Sequence, residues 1–117
     1  MKNCSIVNIA ASNKIGVSDF NYVTSNPSYS GLLKRDYDKP NEIDTTISVK
    51  TELLDNIIPA DISIDLIKID VEGAELLVLE GAYKLIKKYK PIVIFECGIG
   101  ASNYYGTTPS KLFDFSI

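Results

Sequence analysis

The chain has 117 residues, 45% hydrophobic and 23% charged, the balance of one globular domain with a real core rather than of a disordered tail. Its formal charge of −3, from 12 Lys and Arg against 15 Asp and Glu, argues against a phosphate-neutralising surface, so nucleic acid is not an expected partner. Histidine is absent, which removes Ser-His-Asp and Cys-His catalysis and histidine-liganded zinc, and no apolar run approaches the roughly 18 to 20 residues needed to cross a bilayer.

The opening Met-Lys-Asn-Cys leads into a segment interrupted by Asn8, a poor signal-peptide core. Cys4 and Cys97 lack a C-x-x-C partner and read as reduced thiols, each a small buried hydrophobe, in a cytoplasmic protein. Cys4 to Ala11 is apolar at odd and even positions alike, which predicts a strand covered on both faces. After a turn at Asn13-Lys14-Ile15-Gly16, Val17 to Val23 reads as a half-exposed strand, with Phe20 and Tyr22 on one face and Asp19 and Asn21 on the other. Residues 24 to 42 have no period, and a loop of that length is a candidate substrate loop or lid, or else disordered. Ile43 to Thr51 alternates apolar with polar and is expected to pair with the strand around Phe20.

Thr51 can cap a short helix carrying Leu53, Leu54, Ile57 and Ile58, which Pro59 stops. Ile64 to Val71 predicts a central buried strand. Ala74, Val78, Ala82, Leu85 and Tyr89 then form one helical stripe, flanked by Leu79, Tyr83 and Ile86, so this helix lies on a sheet. Glu80 and Lys84 sit at i, i+4 on its polar face, and Gly81 inside it predicts a kink or a close approach to the sheet. Lys90-Pro91 ends the helix, and Ile92 to Phe95 is a second buried strand, parallel to the first. A last short helix is expected over Ser110 to Phe115.

Asp70 and Glu72 end one predicted strand and Glu96 the next, so three carboxylates are expected at one crevice, fit to hold a sugar hydroxyl, a cofactor amine, a divalent cation or a transferring proton. The bland alternative is that Asp70 or Glu72 only caps the following helix. Lys68 alternates onto the side of Asp70 and, in a buried strand, needs a carboxylate or a route to solvent. The G-x-G in Cys97-Gly98-Ile99-Gly100 lacks the third glycine of a dinucleotide fingerprint and reads as a loop.

The segment 65–96, DLIKIDVEGAELLVLEGAYKLIKKYKPIVIFE, resembles the FkbM family of S-adenosylmethionine-dependent methyltransferases, and NIAASNKIGVSDF with the Thr-containing strand and Leu-Leu-Asp helix follows that family's order. The resemblance implies an α/β fold: part of a Rossmann-like methyltransferase sheet, mostly parallel, with a β-hairpin excursion. It implies methyl transfer from S-adenosylmethionine to a hydroxyl oxygen of a sugar or secondary metabolite. Asp70 would face cofactor or substrate, Glu72 and Glu96 would shape the acceptor side, and Ala10 and Ser12 would lie near the adenine. No residue is assigned to a metal.

The family's glycine-rich D-x-G-A-N-x-G loop and its ribose-binding acid do not precede Cys4. The chain therefore reads as a single, truncated domain whose strands at Ile6 and Ile67 have lost the neighbours between them. Direct pairing of those strands, or association through the open edges as a homo-oligomer, is the expected remedy. A non-catalytic α/β interaction or assembly module is the alternative function.

Overall fold

A computed structural model describes residues 3–25, 30–32 and 44–96. Of the loop around Ser28 to Lys39 only Ser30, Gly31 and Leu32 are described, with Gly31 bridged to Asn21 of the second strand; the rest of that loop, Cys97, the G-x-G segment and the helix expected over Ser110 to Phe115 lie outside the described residues. In chain order the elements are β1 (Ala10–Ala11), β2 (Gly16–Val23), β3 (Asp44–Glu52), α1 (Leu54–Ile57), β4 (Leu66–Ile69), α2 (Glu75–Gly81), α3 (Tyr83–Tyr89) and β5 (Ile92–Phe95). None of these helices is long and apolar enough to cross a membrane.

The strands form two sheets, one ordered β1-β3-β2 and one β4-β5. β2 and β3 make the expected antiparallel pair, with Phe20 opposite Ile47, whereas β1 runs parallel to β3. The three-stranded sheet is thus mixed, which corrects the expectation of a mostly parallel one. β4 and β5 are parallel and in register from Leu66↔Ile92 to Ile69↔Phe95, as the strand-helix-strand spacing implied.

The strand expected from Cys4 to Ala11 shrinks to two residues. The amide of Ile9 donates to the carbonyl of Val7 at 3.0 Å, a three-residue turn that takes the chain out of the ladder. Ile6, 97% exposed, pairs with no strand, and β4 pairs only with β5 among the described residues. The predicted Ile6 and Ile67 pairing is therefore not made. Cys4 is exposed rather than buried.

The helical stripe holds: Ala74, Val78, Ala82 and Leu85 are buried, with Leu79 beside them. Tyr83, expected to flank the stripe, is exposed. Val78 and Leu79 pack on Ile69, with Ile67, Val93, Phe95, Leu54 and Ile86 around them. One face of the β4-β5 sheet is thus covered by helix. Its other face is open, with Leu66, Ile92 and Ile94 each at least half exposed, so neither strand is buried on both sides as the sequence suggested. Lys68 lies on that open face, exposed, and reaches solvent without needing a carboxylate.

The single helix expected after Gly73 is broken at Ala82 into α2 and α3. A Cβ on Gly81 would stand 2.0 Å from the carbonyl oxygen of Ser12, so the close approach expected at Gly81 is made at the residue that follows β1. Across the break, Asp55 of α1 accepts the amides of Lys84 at 3.0 Å and Leu85 at 2.9 Å, satisfying two of the N–H groups that a helix start leaves open. Glu80 does not use Lys84 as expected; its Oε2 accepts from Asn13 at 2.9 Å. Thr51 stays in β3, paired with Ala10 and Gly16. Glu52 takes its place at α1, where its Oε1 accepts from the Leu53 amide and the Asn56 side chain.

Candidate functional site

A cleft of about 990 Å³ lies between the first sheet and the carboxyl end of β4. Ala10 and Ala11 of β1 and Phe20 of β2 contribute to its walls, as do Ile47, Ser48, Val49 and Lys50 of β3 and the turn residues Asp70, Val71, Glu72 and Ala74. The shortness of β1 opens this space. β1 covers β3 only at Thr51 and Glu52, so the edge of β3 from Ile47 to Lys50 carries no strand on that side among the described residues. A longer first strand would have occupied it.

Asp70 reaches the cleft because β4 stops at Ile69. Ile69 is buried against α2, and alternation turns Asp70 outward, where it is exposed. Glu72 follows in a left-handed backbone at φ 52°, next to Gly73 at φ 110°. An L side chain there costs about 1 to 2 kcal/mol, and such strain persists where surrounding contacts hold it. In the same turn the Gly73 amide donates to Glu75 Oε1 at 3.2 Å.

The structure thus brings Asp70, Glu72 and Ala10 together. Glu96 follows Phe95, the last residue paired with Ile69, and so leaves the sheet edge beside Asp70. It is exposed and does not line the cleft. Ser12 is buried and borders a second, smaller cavity of about 540 Å³ with Lys14, Gly16, Thr51 and Leu77. Among the described residues no group of three or more Cys, Asp or Glu side chains is arranged to hold a metal ion.

Phe20, Ser48 and Lys50 are cleft residues that sequence reasoning did not single out. The alternation of β3 identified the strand but not which edge would be uncovered, because that depends on where a different strand begins. Lys50 adds a cation to a wall otherwise marked by acids. Its position suits a negatively polarised oxygen of a ligand.

Residues 2–106 match the family model described as a methyltransferase FkbM domain. Comparison with curated proteins and with solved structures gives no match.

Proposed function

The chain belongs to the FkbM methyltransferase family, and on that premise we propose that it takes part in methyl transfer from S-adenosylmethionine to a hydroxyl oxygen of a sugar or secondary-metabolite acceptor. The observation that carries this reading is the cleft in which Asp70, Glu72 and Ala10 meet. S-adenosylmethionine, when bound, supplies a methyl group on a sulfonium cation. Asp70, exposed at the strand end, suits both the neighbourhood of that cation and the hydroxyl proton. Methyl transfer to oxygen needs the hydroxyl aligned first and its proton accepted second.

Glu72 is proposed to fix the acceptor within the cleft, and Glu96 to border it from the adjoining strand end. Ala10, with its small side chain, leaves room at the wall for a flat adenine, and Ser12 stands two residues beyond. The fit to the cofactor covers this side only. Residues 1–117 contain no D-x-G-A-N-x-G segment, so the loop that would clasp the ribose and the amino-acid end is proposed to come from polypeptide outside these residues. A cytoplasmic setting belongs to the same reading and rests on the sequence alone.

Calorimetric titration of the chain with S-adenosylmethionine tests the reading. Saturable binding that weakens in Asp70→Asn supports it. No heat at millimolar ligand, in the presence and absence of an added glycine-rich N-terminal half, removes it. One observation favours a second reading, an assembly module: the open face of Leu66, Ile92 and Ile94 on the β4-β5 sheet offers apolar area to another polypeptide.

A further inference from the structure

Glu75 is the one buried charged residue among those described, 1% exposed at the start of α2. Its Oε1 accepts the Gly73 amide at 3.2 Å, while Oε2, equally shut off from solvent, has no hydrogen-bond partner among the described residues. Burying a carboxylate is costly, and a residue serving only to fill this space would be apolar. The amide it holds belongs to the turn in which Glu72 and Gly73 both have positive φ. That turn supplies Asp70, Val71 and Glu72 to the large cleft.

We propose that Glu75 is a positioning residue for the cleft: by holding the Gly73 amide it keeps the left-handed turn closed and so fixes where the Asp70 and Glu72 carboxylates meet a ligand. Glu75 itself lines neither cavity and acts through the turn. The inference rests on the methyl-transfer reading only for the identity of the ligand. A purely structural helix-end contact would behave differently, because any equal loss of stability within α2 would then disturb the turn to the same degree.

The test is nuclear magnetic resonance on the full chain, following amide exchange at Gly73 and the carboxyl carbon resonances of Asp70 and Glu72. Glu75→Ala is expected to speed Gly73 exchange about tenfold, as befits a lost hydrogen bond, and to move both carboxyl resonances. Glu75→Gln keeps an acceptor for Gly73 and is expected to stay near the unsubstituted protein. Val78→Ala destabilises α2 away from the turn and is expected to leave the carboxyl resonances in place. Should Glu75→Ala not fold, the near-isosteric Glu75→Met carries the same comparison. Equal changes in the Glu75 and Val78 variants, or none in the former, overturn the proposal. Adding S-adenosylmethionine last separates the two ideas: absence of binding removes the methyl-donor reading, while the resonance comparison still decides the role of Glu75.

Discussion

Gly81 sets the distance between α2 and the end of β1. Alanine there would gain about 1 kcal/mol of helix propensity, but its Cβ would lie 2.0 Å from a backbone oxygen that belongs to Ser12. Backbone cannot swing aside as a side chain can, so the clash in Gly81→Ala is expected to cost about 1 to 3 kcal/mol, which offsets that gain and leaves a net loss of up to about 2 kcal/mol, read as a lower urea midpoint. Glu72 poses the opposite case. Glycine at φ 52° recovers about 1 to 2 kcal/mol of left-handed strain and gives back about 0.5 to 1 kcal/mol in unfolded-chain entropy. Glu72→Gly is therefore expected to leave thermal stability nearly unchanged while weakening acceptor binding. A large fall in melting temperature would show that the Glu72 side chain supports the fold.

Among the elements, α3 depends on a neighbour for its start, since its own N-cap position, Ala82, offers no side-chain acceptor. Asp55→Ala removes the acceptor of two amides and is expected to cost about 1 to 2 kcal/mol, with faster amide exchange at Lys84 and Leu85 as the local sign. Leu79, 1% exposed in the core, is expected to cost about 2 to 5 kcal/mol on truncation to alanine, measured by chemical denaturation. The sequence showed the stripe from Ala74 to Leu85 because a burial period survives a break at Ala82, and it showed the hairpin because alternation in β3 matches that in β2. It did not show the late start of β1 at Ala10, where a turn at Asn8 outcompetes a run of β-branched residues. Nor did it show the trans cap from Asp55: a carboxylate thirty residues away leaves no local signature. Asp70 and Glu72 were legible at the site because a strand end is a local event, whereas Lys50 and Phe20 entered through the missing edge of another strand.

For the molecule as a whole, the two sheets are separate and each leaves apolar residues in water. Leu66, Ile92 and Ile94 share the uncovered face of the smaller sheet, and Ile6 stands 97% exposed beside the first. Apolar surface of this kind favours association, so light scattering coupled to size-exclusion chromatography is expected to show species larger than 117 residues account for. Ile92→Lys is expected to shift them toward the monomer, and a monomer at all concentrations would contradict the expectation. The clamp from Asp55, joined by the Lys88 ammonium and Tyr89 hydroxyl on the carbonyl of Ala60, ties the later half of the chain to the earlier one. The motif-bearing stretch 65–96 is consequently not an autonomous unit. Excised as a peptide it would forfeit those anchors, and its two seven-residue helices fall below the length at which isolated helices persist in water.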